Sequence, residues 1–198
     1  MKNYHSFIFI LSMLGLFLAS ISLSSCKKTT NEAPTLPPAT NNGSNTMGAY
    51  INNVVWVPAP SFYYTGIQAD YSGTAFRIIG YTNNSNRTEK TSVHINLRNF
   101  SGTGNYSLNN PLLPIGLSNS GQVLIEQNTA PVGQIPTSIE YDTDSLHLGQ
   151  VTITKFDPVK QIVSGTFQFD AINQNKPIGV THVTAGRFDV ACPLYQLY

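Results

Sequence analysis

Charged side chains are scarce in this 198-residue chain. Asp, Glu, Lys and Arg together make up 11% of it, against about 25% in an ordinary soluble protein. Eleven basic residues stand against ten acidic ones. A domain so close to neutral has no general electrostatic hold on a phosphate backbone, and nucleic-acid binding is not expected. Cysteine is scarcer still, with only Cys26 and Cys192. Beyond residue 21 there is no long apolar run and no apolar stripe of helical period, which argues against a helical fold. Chemistry-bearing motifs are missing as well. There is no Gly-x-Ser-x-Gly elbow to present a nucleophile and no His-x-His or His-Glu-x-x-His spacing to hold zinc. His94, His147 and His182 fall on three separate predicted strands. The reading is a non-enzymatic chain with no cofactor and no metal.

What is present begins at the N-terminus. Residues 7–21, from Phe7 to Ile21, are almost wholly apolar, interrupted by Ser12, Gly15 and Ser20. That run is too short for a comfortable membrane span, which needs about 20 residues, and its length suits the apolar region of a signal peptide. Leu23-Ser24-Ser25-Cys26 follows directly. A leucine, two small residues and a cysteine in this place read as a bacterial lipobox. The expectation is cleavage before Cys26, with residues 1–25 removed and acyl chains carried on Cys26. Each buried methylene contributes about 0.8 kcal/mol, so two or more chains hold a protein to a bilayer where one does not. With Cys26 committed to lipid, Cys192 has no partner for an internal disulfide. Its parity with Phe188 and Val190 marks it as a buried, inert thiol.

Residues 26–46 read as the lipidated cysteine and a flexible linker, rich in Pro, Thr and Asn and with little to place in a core. Residues 47–198 read as a single all-β domain. Ten Tyr, ten Phe and 15 Gly suit strands and turns. Asn52-Asn53 is a good tight turn between Tyr50-Ile51 and Val54–Val57. Val93, Ile95 and Leu97 alternate with His94, Asn96 and Arg98. Residues 149–157 and 161–171 form the clearest hairpin, turning at Asp157-Pro158-Val159-Lys160. In its second strand Val163, Phe167, Phe169 and Ala171 share one face. A last pair of strands, 178–184 and 187–192, is expected to turn at Ala185-Gly186. Nine or ten short strands in all predict an antiparallel β-sandwich or, as the alternative, a partly closed β-barrel.

Trp56, the run Gly165-Thr166-Phe167-Gln168-Phe169 and the later Gly186-Arg187-Phe188 give the chain a family likeness. Together with the lipobox and polar tether, they resemble a family of Bacteroidota lipoproteins of unknown function. The likeness is most specific over the last 50 or so residues. It implies an exported all-β domain and supplies no activity. Surface-exported lipoproteins of that phylum tend to carry an acidic run after the cysteine. Lys27-Lys28 stands here instead, so the expected location is the outer membrane facing the periplasm, with the cell surface as the alternative. Asp144-Ser145-Leu146 resembles the O-glycosylation acceptor of the same phylum and marks Ser145.

Two constellations remain. Phe62-Tyr63-Tyr64, with Tyr71 and Tyr81, could form an aromatic platform for a sugar or peptide, with Tyr63 and Tyr64 its centre; the competing reading has these rings capping the open end of the domain. Glu140, Asp142 and Asp144 would share a strand face and could face calcium, but they lack the rest of a calcium loop, so a solvated strand end is the simpler reading. The functional expectation is a lipid-anchored binding or accessory module of the cell envelope, with an envelope protein or glycan as partner. The alternative is a small-ligand carrier whose inward residues line a cavity.

Overall fold

Alternation of apolar and polar residues builds every element of this chain. The computed structural model describes residues 35–60, 65–83, 89–110, 118–127, 137–173, 175–176 and 179–192. Among them run eleven strands: β1 (Thr46–Ile51), β2 (Val54–Trp56), β3 (Ile67–Ser72), β4 (Ala75–Asn83), β5 (Glu89–Leu97), β6 (Gly104–Leu108), β7 (Ser120–Gln127), β8 (Thr137–Asp142), β9 (Gly149–Asp157), β10 (Ile162–Ile172) and β11 (Val180–Ala191). β1 and β2 turn at Asn52 and Asn53, whose φ of 49° and 65° a short polar side chain tolerates best after glycine. The β9–β10 hairpin turns after Asp157, whose carboxylate accepts the Lys160 amide at 2.9 Å.

All pairings are antiparallel, and the order β2-β1-β11-β10-β8-β7-β5-β4-β3 curls into a half-barrel, with β9 added to β10 and β6 to β9. Two leaves can be followed through it. One is β6-β9-β10-β11-β1-β2, the other β8-β7-β5-β4-β3, and they join where Ile172 of β10 meets Asp142 of β8. Their inner faces close on each other. Phe76, Ile78, Val93, Ile95, Leu97 and Val123 from one leaf meet Val151, Ile153, Val163, Phe167, Phe169 and Phe188 from the other, all buried. The all-β class and the antiparallel pairing are as the alternation predicts, and the half-barrel is consistent with the sandwich or with its partly closed alternative.

Three phenylalanines each lie across from a glycine on the neighbouring strand. Phe188 faces Gly165, Phe167 faces Gly186, and Phe169 faces Gly149. Glycine in a strand leaves the backbone bare and flexible, and an aromatic ring laid over it covers that gap. The fit is close: a Cβ at Gly186 would stand 2.5 Å from the Phe167 ring, and one at Gly165 only 2.4 Å from the Thr152 carbonyl. This is the physical content of the Gly-Thr-Phe-Gln-Phe and Gly-Arg-Phe runs.

Three expectations are revised. Residues 178–192 do not turn at Ala185-Gly186. β11 runs through as one strand, with Ala185 at φ 50° and a register shift against β10, so a bulge replaces the turn. β3 was not expected as a strand at all. Finally, residues 35–46 are not free linker. The stretch before β1 is pinned through residues 40–44 to the outer surface of the first leaf. Composition alone misses that docking because it comes from one distant carboxylate.

Candidate functional site

That carboxylate is Asp189. Along β11, Phe188 and Val190 point inward, so Asp189 points out, where residues 40–44 cross it. Its Oδ2 accepts Thr40 Oγ1 at 2.7 Å and the amides of Asn42 at 3.1 Å and Ser44 at 3.0 Å. Its Oδ1 accepts the Gly43 amide at 2.8 Å and Ser164 Oγ at 2.8 Å. Asp189 is 1% exposed and Ser164 fully buried. Burial by itself would raise the carboxyl's pKa, but the hydrogen bonds from Ser44, Thr40, Ser164 and Gly43 outweigh it and bring it down to about 2. Lys155 Nζ adds a bond to the Asn41 carbonyl at 2.8 Å. The strap so formed flanks a shallow groove on the outer face, between Ala39 and the exposed Gln150, Thr166 and Gln168 with half-buried Arg187.

A larger opening, about 660 Å³, lies at the seam of the half-barrel, within the usual range for a binding site. Here β3, the last strand of the second leaf, faces the end of β11 and Asn45 of the first. Asn45 sits at φ 54° and its side chain accepts the Ala191 amide at 2.8 Å, so the β1–β11 ladder stops at the mouth. Ile67, Ala69 and Val190 supply an apolar wall. The charged pair on the rim is internally neutralised: Arg77 reaches Asp70 through Nη2 at 2.6 Å and Nε at 3.2 Å. Cys192 is buried beyond this rim, and burial, with the Asp70 charge adding to it, pushes its thiol pKa up to about 12. It stays protonated and unreactive at neutral pH.

The outer face of β4, β5 and β7 carries a polar layer that is also buried. Ser92 Oγ lies 2.8 Å from His94 Nε2, Gln122 Nε2 donates to Asp142 Oδ1 at 2.9 Å, and Lys90 pairs with Glu126 at 2.6 Å. Burial, aided by the nearby positive charges of Arg77 and Lys90, lowers the His94 pKa to about 4, so the ring is neutral at pH 7. Ser92 is fully buried, so this Ser–His pair offers no hydroxyl to a substrate.

Of the residues singled out from sequence, Cys26, Tyr63 and Tyr64 lie outside the described residues. Tyr71 and Tyr81 do not share a platform. Tyr71 pairs with Phe76 and packs edge-on against Phe100 and Phe156, at 5.5 and 5.4 Å, which closes one end of the core. Tyr81 pairs with Ser92 on the opposite face, edge-on to His94. The three acidic residues are drawn apart in use. Asp142 is buried against Gln122, whereas Asp144 accepts the amides of Leu146 and His147 and lies 2.9 Å from His147 Nδ1. Among the described residues no group of three or more His, Cys, Asp or Glu could hold a metal ion. Ser145 stands exposed at the tip of the Asp144 turn.

Sequence reading passed over both Asp189 and β3. For β3 the signal was present, in Ile67, Ala69 and Tyr71 alternating with Gln68 and Asp70. For Asp189 there was only an acid at an outward position of an otherwise apolar strand. No protein-family model matches the chain, and no curated protein or solved structure matches it.

Proposed function

We propose that this chain is a lipid-anchored binding or accessory module of the bacterial cell envelope, non-enzymatic, and related to the Bacteroidota lipoproteins it resembles. The observation that carries the reading is Leu23-Ser24-Ser25-Cys26 directly behind the apolar residues 7–21. The anchor sits in the outer membrane, facing the periplasm, with the cell surface as the alternative. The docked strap adds to this picture. It leaves residues 26–34 as the tether, no more than about 32 Å even fully extended, so the domain stays close to the lipid surface. The packed inner faces favour a partner bound at the surface, an envelope protein or glycan, over a small ligand carried inside.

Two experiments test it. Metabolic labelling with a palmitate analogue is expected to tag the wild-type chain and not Cys26→Ala, which accumulates uncut or in the soluble fraction; a tagged alanine variant overturns the anchor. The exposed Ser145 is the proposed site of O-glycosylation. The intact protein is expected to be heavier than its sequence by a glycan as well as by lipid, and Ser145→Ala to lose the glycan mass. If that mass survives the substitution, the sugar is elsewhere.

A further inference from the structure

The geometry points to the edge of β3, unpaired among the described residues, as a docking site for an extended, uncharged peptide segment of a partner protein, added as an extra strand within the seam. This deepens the binding-module reading and rests on it, while its readout is independent of the anchor.

The bonding phase of β3 is fixed by one contact. The Tyr81 amide donates to the Gly66 carbonyl at 2.7 Å. In an antiparallel ladder, pairs that exchange both hydrogen bonds alternate with pairs that exchange none. Gln68, Asp70 and Ser72 therefore turn their amides and carbonyls toward β4, opposite Ile79, Arg77 and Ala75. Ile67, Ala69 and Tyr71 turn theirs the other way, into the seam. Among the described residues, only the Ile67 carbonyl has a partner there, Thr65 Oγ1 at 2.8 Å.

Natural edge strands are blunted by shortness, proline, lysine or a bulge. β2, at the other end of the order, is three residues long. β3 has six, Ile-Gln-Ala-Asp-Tyr-Ser, with no proline, no lysine and an unbroken register against β4. The opening beside it is of ligand size. Residues of an incoming strand that bond to β3 would share the inward face of Ile67 and Ala69 and meet Val190, so those side chains are apolar. The intervening ones lie beside Gln68 and the Asp70–Arg77 pair. Because that pair neutralises itself at 2.6 Å, the rim favours neither an acidic nor a basic segment. A strand already embedded in another sheet is a poorer fit, since Val190, Ala191 and Asn45 face β3 across the gap. Main-chain bonds give such a complex its affinity, and alternate side chains its selectivity.

The probe is acetyl-Thr-Val-Thr-Val-Thr-amide, titrated against the full lipidated chain in detergent and followed by amide chemical shifts. Saturable binding is expected, with the largest shifts at Ala69 and Tyr71. N-methylation of either probe valine is expected to weaken binding at least tenfold and N-methylation of the central threonine to leave it unchanged, because only the valine amides face β3. On the protein side Ala69→Pro removes an amide that bonds nothing among the described residues; it is expected to keep the wild-type circular dichroism and lose at least tenfold in affinity. The probe-side comparison stands even if that variant misfolds. Equal binding by folded Ala69→Pro, equal loss at threonine and valine, or no binding up to about 1 mM overturns the proposal. So does a β3-dependent dimer of the chain, which would give the edge to a second copy.

Discussion

Phe188→Ala is expected to destabilise the domain by about 4 kcal/mol, the usual scale for removing a fully enclosed aromatic ring. The ring is 2% exposed, faces Gly165 across the β10–β11 ladder, and lies 6.0 Å from Phe76 on the opposite leaf and 6.3 Å from Phe167 on its own. It therefore does two things at once, shielding a bare glycine backbone and bridging the leaves. The gap cannot be refilled from the glycine side. A Cβ at Gly165 would meet the Thr152 carbonyl, a backbone atom that cannot move aside cheaply. Urea unfolding followed by Trp56 fluorescence measures the loss. A change below about 1 kcal/mol would mean that the leaves do not depend on this contact.

One residue along, Asp189→Asn is expected to cost about 3 kcal/mol. Each carboxylate oxygen accepts at least two donors. Whichever position the new amide nitrogen takes, it meets donors head-on, and the hydroxyl of buried Ser164 is left competing for one acceptor. The strap should open as a consequence, seen as faster hydrogen exchange at the Asn42, Gly43 and Ser44 amides while β5 and β7 remain protected. The acid dependence follows from the same contacts. A carboxyl held at about 2 in the folded chain, against an ordinary 3.8, contributes stability that is complete above about pH 4. That contribution is lost as pH falls through 2. After allowance for solvent screening it is worth about 2 kcal/mol. The wild type should show this loss between pH 4 and 2, and the asparagine variant should not. An identical acid profile in both would remove Asp189 from the account.

The strands were legible where a face is purely apolar or a turn has its own chemistry. Val93, Ile95 and Leu97 marked β5; Asn52-Asn53 and Asp157-Pro158 marked two hairpins. Cys192 was legible as a buried residue from its parity with Phe188 and Val190. Legibility ended where a residue's role is set by something distant in sequence. Ser92 and Asn96 look like a solvent face because they are polar, yet they are buried. Thr40, Gly43 and Ser44 look like linker because nothing local distinguishes an amide pointing at water from one pointing at a carboxylate some 145 residues away. β3 was hidden by its composition. An edge strand facing a cleft has half the neighbours of a central one and needs fewer β-branched residues, and this one has a single isoleucine and an alanine where valines would have announced it.

The clamp at Asp189 also decides how force enters the domain. Any pull arriving through the residues before Thr35 reaches that carboxylate before it reaches Thr46, where β1 begins. β1 holds to β11 through a ladder that a tug on its free end would unzip one rung at a time. With the load diverted into β11 at Asp189, the residue opposite Thr46 and flanked by β1 and β10, the clamp must open before the first rung of that ladder is pulled. A chain moored by its N-terminus can thus be dragged without its first strand peeling away.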